Sequence, residues 1–245
     1  KTENFNGQNN TSSTTTVNYN TYNNPINSTT VIKNGGTIEK TTTNTFGYDG
    51  VLTTPYIVDR LNNKVSTSTL ATGDIHSSEE QYVYDINLLK QIKKRSTNSG
   101  LTSDFITENN EYDAYGNVIQ KKYSAPGMAD RVVNYEYDDA THRFLVKKVD
   151  PELQQTVYTY NQSTGLLLTE TLPSIAGFPL ITTYTYDSWG KVITVKDYLN
   201  NYVSYNYFNI SGGGILKTSS SSDGSISKII YDPLGRTLHE GYKNL

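Results

Sequence analysis

The chain has 245 residues, with 21 Tyr against 6 Phe, 1 Trp and 1 Met, and 21 basic against 24 acidic side chains for a net charge of −3. Interspersed charges of both signs exclude the basic footprint of a nucleic-acid binder, and the lack of cysteine excludes disulfides, thiolate metal sites and Cys nucleophiles. Thr, Ser and Asn abound while Ala is sparse, a vocabulary of strands and turns, and no stretch approaches the roughly 18 to 20 apolar residues of a membrane-spanning helix.

Residues 1 to about 45 form a Thr/Asn/Ser-rich polar leading region, expected to be partly β: Gln8 to Thr16 reads QNNTSSTTT and Asn18 to Asn24 reads NYNTYNN. Such a composition has little apolar surface to offset ordering entropy, and on that ground reads as disordered. The local pattern argues for strands. Thr14 to Tyr19 (TTTVNY) is β-branched, and Thr30 to Glu39 (TVIKNGGTIE) sets Asn34, Gly35 and Gly36 between two short runs, which is hairpin chemistry. Strands are expected from about residue 14 onward.

A second region, 46–245, repeats a Tyr-Asp unit. Its first copy lies in Phe46 to Leu52 (FGYDGVL), with Tyr48 and Asp49; others stand at Tyr84-Asp85, Tyr112-Asp113, Tyr137-Asp138, Tyr160-Asn161, Tyr186-Asp187, Tyr207 with Phe208-Asn209, and Tyr231-Asp232. From Tyr84 the steps are 28, 25, 23, 26, 21 and 24 residues, whereas Tyr48 to Tyr84 spans 36 and implies a degenerate or expanded unit that includes Val58 to Val65. A period in the twenties is the sequence sign of a repeat architecture.

Thr182 to Val195 (TTYTYDSWGKVITV) shows one unit most clearly. Tyr184 and Tyr186 alternate with threonines in the period of two of a strand. Asp187 and Gly190 supply turn chemistry, Asp by bonding nearby backbone and Gly by tolerating positive φ; Gly116, Gly165 and Gly235 take the corresponding place in their units. Val192 to Val195 then suits a pleated second strand. Midway to the next unit a further polar turn appears, as at Asp150 to Gln154, Asp197 to Asn201 and Asp223-Gly224, so each period holds two strands and two turns. Asn87 to Lys94 (NLLKQIKK) has spacing that a helix accepts, but its place in the repeat makes it a strand. The basic run Lys90 to Arg95 is expected to be a solvated strand edge, where lysines discourage edge-to-edge association.

The segments Glu111 to Val118 (EYDAYGNV), Tyr184 to Val192 (YTYDSWGKV) and Ile230 to Leu238 (IYDPLGRTL) resemble the YD repeat, also called the RHS repeat. The likeness runs from about Phe46 to the last residue. Three units depart from the pattern: Tyr160 is followed by Asn161 with Gly165 one residue late, Asp138 lacks its Gly, and Phe208 intrudes after Tyr207. The resemblance implies an all-β, repetitive antiparallel hairpin strip that curls as part of a spiral shell or hollow barrel, as in bacterial RHS proteins, shell components of toxin complexes, and teneurins. In the bacterial proteins such a shell holds a toxic C-terminal domain. No terminal core segment of that kind is found here, and the strip reads as an excerpt truncated at its C-terminal end.

A search for chemistry finds little. His76, His142 and His239 stand apart from one another without ligand spacing, so no metal or cofactor is expected. The repeated acids Asp49, Asp85, Asp113, Asp138, Asp187 and Asp232 have two readings: a stacked row that binds calcium, or caps that each bond their own turn, the latter favoured because one carboxylate per unit is too sparse. Gly212 to Gly214 is followed by strand-like Ile215-Leu216 and lacks the Lys-Ser/Thr helix start of a phosphate loop. Tyr158/Tyr160, Tyr184/Tyr186 and Tyr205/Tyr207 lie two apart and share a face, expected to form aromatic ladders that stabilise a sheet wet on both sides, with stacking on sugars as the sharper option. Trp189 has no counterpart in the other copies.

The expectation is therefore a non-catalytic structural segment of a large secreted or cell-surface, exported bacterial protein, enclosing or scaffolding a polypeptide such as a C-terminal toxin. Its partners would be the remainder of its own polypeptide, secretion machinery or surface proteins, with no nucleic acid and no membrane span. The alternative is an extracellular adhesin or carbohydrate-binding module that uses the tyrosine-rich face.

Overall fold

A computed structural model describes residues 2–6, 10–53, 56–97 and 104–243. Every regular element among them is a β-strand, and none is a helix able to cross a membrane. The chain divides into two compact units, residues 1–132 and 133–245. The first holds β1 (Thr2–Asn6), β2 (Thr11–Tyr19), β3 (Pro25–Asn34), β4 (Thr37–Tyr48), β5 (Leu52–Thr53), β6 (Tyr56–Ile57), β7 (Leu61–Leu70), β8 (Ile75–Asp85), β9 (Leu88–Thr97), β10 (Ile106–Tyr112) and β11 (Val118–Ser124). β12 (Arg131–Tyr137) begins at its end and runs into the second, which continues with β13 (Leu145–Val149), β14 (Gln155–Tyr160), β15 (Leu167–Ile175), β16 (Phe178–Tyr186), β17 (Val192–Lys196), β18 (Tyr202–Asn209), β19 (Ile215–Ser221), β20 (Ile226–Tyr231) and β21 (Thr237–Lys243).

Within each unit the strands pair antiparallel with their chain neighbours. In the first, β1 to β4 and β7 to β11 form one run, while β5 and β6 make a small separate hairpin inserted between β4 and β7. In the second, β12 to β21 follow one another without interruption. The inserted hairpin explains the long step between Tyr48 and Tyr84: where other units turn within about five residues, Asp49 N–H reaches Arg60 O at 2.9 Å across an expanded loop.

The polar leading region is stranded too. β2 and β3 begin at Thr11 and Pro25, and the boundary at residue 46 falls inside β4. Here the Thr and Ser side chains bond across strands, as Thr15 to Thr30 and Thr42 to Ser68, both at 2.9 Å. Low apolar content is compensated by ladder bonds and cross-strand hydroxyl pairs, which the compositional argument for disorder does not count.

Few described side chains of either unit are withdrawn from solvent. Among the described residues Val133, at 9% exposed, is the sole apolar side chain counted as buried. Both faces of the strip are therefore largely wet, and stability comes from neighbour-to-neighbour contacts.

One expectation is overturned. Lys90 to Arg95 is not a strand edge, because β9 is paired on both sides: Lys93 opposes Gln81 on β8 and Thr107 on β10, and Lys94 opposes Glu80 and Ile106. The basic residues sit inside the run because acids on the neighbouring strand neutralise them, Arg95 with Glu79 and Lys94 with Glu80 at 3.5 Å.

Candidate functional site

The Tyr-Asp turn is the recurrent site. At Asp113 the backbone N–H donates to Asn117 O at 3.0 Å, and Gly116 N–H donates back to Asp113 O at 3.2 Å. Gly116 has φ +86°, and the register slips by one between Glu111 and Tyr112. This is a type I turn closed by a left-handed residue and a bulge, the usual three-residue hairpin connection. The Asp113 carboxylate completes it, one oxygen accepting from Tyr115 N–H at 2.8 Å and Asn117 N–H at 2.9 Å.

Asp187 with Gly190 and Asp232 with Gly235 repeat the arrangement, each with its own backbone pair and two N–H groups on one carboxylate oxygen. Arg236 Nε adds an ion pair to Asp232 at 2.6 Å. The opposite ends of the strands use the same turn at Asp150 and Asp197. Asp138 follows a variant. Lacking Gly, its loop gives the positive φ to His142 (+53°), and the carboxylate accepts from Thr141, Arg143 and Phe144 N–H groups and from the Thr141 hydroxyl. The Phe144 N–H, then the Thr141 and Arg143 bonds, hold this acid well below the usual carboxylate range. Asn161 does the same work as a neutral acceptor from Ser163 and Thr164, in a loop one residue longer that ends on Gly165 (φ +73°).

Three motif positions differ. Asp49 borders the expanded loop and accepts from Asn62 Nδ2 at 3.0 Å instead of capping a tight turn. Asp85 is the last residue of β8, opposite Leu88 across the short connection Ile86-Asn87. Asn209 is likewise the last residue of its strand, opposite Ile215, and Ile210 takes the turn position, bonded to Gly214 O at 3.0 Å.

The tyrosines explain why the turn comes with Tyr. Tyr48 OH donates to Pro25 O (2.9 Å), Tyr84 OH to Leu61 O (3.1 Å), Tyr112 OH to Leu89 O (2.8 Å), Tyr186 OH to Leu167 O (2.7 Å) and Tyr207 OH to Val192 O (3.3 Å). Every acceptor is the residue registered against the tyrosine of the unit before: Pro25 against Tyr19, Leu61 against Tyr48, Leu89 against Tyr84, Leu167 against Tyr160, Val192 against Tyr186. At the bulge that carbonyl is left for a side-chain donor. A cation next to the acceptor often covers the incoming ring: Arg60 over Tyr84 at 4.9 Å, Lys90 over Tyr112 at 5.9 Å, Lys191 over Tyr207 at 5.1 Å. Tyr137 and Tyr231 occupy the same bulge position, opposite Leu145 and Thr237, and Phe144 stacks on Tyr160 at 5.1 Å.

Sequence reading missed a unit: Tyr19-Asn20 is a copy with Asn in place of Asp. Asn20 Oδ1 accepts from Tyr22 and Asn24 N–H groups, both at 2.9 Å, and Asn23 supplies the positive φ of +64°. The signal was NYNTYNN itself, with Asn doing what Asp and Gly do elsewhere. It also missed a polar cluster on the opposite face of the first unit. Glu79, 6% exposed, accepts from Asn63 and Gln81 on one oxygen and from Arg95 on the other, and Arg95 lies over the Phe105 ring at 4.4 Å. The Gln81 bond foremost, with those from Arg95 and Asn63, lowers the Glu79 pKa. No group of three or more His, Asp or Glu converges as a metal site among the described residues.

No protein-family model and no curated protein matches the chain. In fold it is similar to the crystal structure of TcdB2-TccC3 without its hypervariable C-terminal region, with a TM-score of 0.54 at 11% identity over 94% of this chain and 15% of that one. The crystal structure of TcdB2-TccC3 gives 0.44 at 12% identity, covering 96% and 18%, and a Photorhabdus luminescens Tc holotoxin pore with a substituted TccC3 gives 0.38 at 11%, covering 95% and 14%. The chain thus spans less than a fifth of these proteins, and the likeness to the first is one of fold. It agrees with the YD-repeat resemblance: the chain is an all-β strip of antiparallel hairpins.

Proposed function

We propose that this strip of YD-type hairpins is a non-catalytic wall segment of a large exported protein, curling into a shell that encloses or scaffolds another part of the same polypeptide. One observation carries the reading. A strip that leaves nearly all its described side chains partly wet gains little from its own core, yet in several units a tyrosine hydroxyl bonds a carbonyl of the unit before, while the Asp carboxylate closes its own turn. That investment suits a material made to extend and cover. The fold shared with TcdB2-TccC3 supports it. Further repeats, an enclosed C-terminal domain, the machinery that exports it and an extracellular or cell-surface location follow as parts of the same proposal.

The test uses the full polypeptide that carries residues 1–245. Its segments outside the strip should resist added protease while the strip is folded and be cut rapidly once a low concentration of denaturant opens it. Equal cutting rates before and after opening would refute enclosure.

A further inference from the structure

In the second unit one carboxylate stands among aromatic rings without a cation. Glu170 on β15 is registered against Tyr158 on β14 and Thr182 on β16, so all three share a face, and Tyr160 and Tyr184 lie two residues along from Tyr158 and Thr182 on that face. Glu170 and the three tyrosines are half-buried. Tyr158, Tyr160 and Tyr184 all have raised phenol pKa values, through burial first and the Glu170 charge among the further causes.

The rest of the molecule serves as the control. Several other strand carboxylates meet a base across the ladder: Glu79 with Arg95, Glu80 with Lys94, Glu108 with Lys121 and Glu136 with Lys147. Several other tyrosines lie under a cation, as Tyr84 does under Arg60, Tyr112 under Lys90, and Tyr205 and Tyr207 under Lys217. Around Glu170 both partners are missing together. Lys148, the basic residue of β13 on this face, is registered against Thr156 and Tyr135, and β13 lies two strands, about 9.6 Å, from β15. A groove of roughly 750 Å³, lined in part by Leu168, Tyr186 and Trp189, shares Tyr184 with the cluster.

We propose that Glu170 with Tyr158, Tyr160 and Tyr184 forms a binding site for an organic ammonium group, the carboxylate supplying the counter-charge and the phenol rings the walls. A carboxylate on the same sheet face as neighbouring phenol rings offers a cation both a full negative charge and ring quadrupoles, which act within about 6 Å. The ammonium comes either from a lysine side chain of a polypeptide lying on the sheet or from a small quaternary amine. The site belongs to the face itself and does not depend on the strip being a wall.

Titration of the chain with tetramethylammonium chloride, and separately with the peptide Ac-Gly-Lys-Gly-NH2, followed by two-dimensional NMR of the tyrosine rings, tests it. Saturable shifts are expected at Tyr158, Tyr160 and Tyr184 and not at Tyr205 or Tyr207, with at least tenfold weaker binding in Glu170→Gln. A response to the quaternary amine alone identifies a small amine as the source, and a response to the peptide alone identifies a lysine side chain. Absence of shifts with both probes, equal shifts from sodium chloride at the same ionic strength, or unchanged binding in Glu170→Gln would each overturn the proposal. Spectra of Glu170→Gln that keep the Tyr207 resonances in place show that the variant folds.

Discussion

Tyr112 donates its phenol proton to the carbonyl of Leu89, 2.8 Å away and 23 residues earlier in the chain. Leu89 is the residue registered against Tyr84, whose own hydroxyl bonds Leu61, which in turn is registered against Tyr48. The units are therefore linked in series by side chain to backbone bonds, in addition to their strand ladders. Asn110 Nδ2 shares the Leu89 carbonyl at 3.0 Å, which makes that joint doubly fastened.

The half-buried tyrosines give the protein a pH signature. Tyr48, Tyr84, Tyr158, Tyr160, Tyr184, Tyr186 and Tyr207 all have raised pKa values, with burial as the leading cause, and burial with the Glu80 contact pushes Tyr82 up to about 12. A phenol whose pKa is higher folded than unfolded contributes stability that is full below the unfolded value of 10.0 and is lost as pH rises through the folded one. Urea-unfolding midpoints measured against pH should hold below about pH 10 and fall steeply towards pH 12. The lowered acids Glu79, Glu80 and Asp138 act with the opposite sign, so stability should also drop as pH falls below about 4.

Turn substitutions should rank by the bonds they remove. Asp138→Ala strips an acceptor with four donors, Asp187→Ala one with two, so thermal melts should place Asp138→Ala lower. Gly214→Ala should be more disruptive than Gly213→Ala, because a Cβ at 214 collides with the backbone carbonyl of Tyr231, whereas at 213 it meets Pro233 at an ordinary 3.5 Å and only the positive φ of +82° opposes it.

Arg95→Leu leaves Glu79 buried without its charge partner and should cost about 3 to 5 kcal/mol in chemical denaturation. Replacing both, Glu79→Leu with Arg95→Leu, should recover most of that loss, since apolar residues of similar size suit a buried ladder position. A double variant as unstable as the single one would show that the pair's hydrogen bonds to Asn63 and Gln81 matter more than its charge balance.

How much of this was legible follows from the physics of each residue. Alternation and turn residues around Tyr186 and Asp187 are local, so the hairpin strip could be read directly from sequence. The target of the tyrosine hydroxyl could not, because the acceptor is a backbone carbonyl in another unit, and its identity depends on a register set by the bulge. Lys93 and Lys94 looked like an edge because lysines are common there, and only their neighbours across both ladders show otherwise. Trp189 proved less odd than it looked: Tyr22, Tyr115 and Leu234 hold the same exposed turn position in other units. The Asp85 and Asn209 turns were misread because a Tyr-Asp or Phe-Asn pair does not by itself fix where the chain reverses.

The serial tyrosine clip is the central claim, and a set of Tyr→Phe variants measures it most directly. Phe keeps the ring and removes only the donor. Tyr48→Phe, Tyr84→Phe, Tyr112→Phe and Tyr186→Phe should each lose about 1 kcal/mol of unfolding free energy, while Tyr242→Phe and Tyr202→Phe, at exposed positions, should stay within about 0.5 kcal/mol of the parent. Equal stability across all six variants would contradict the account.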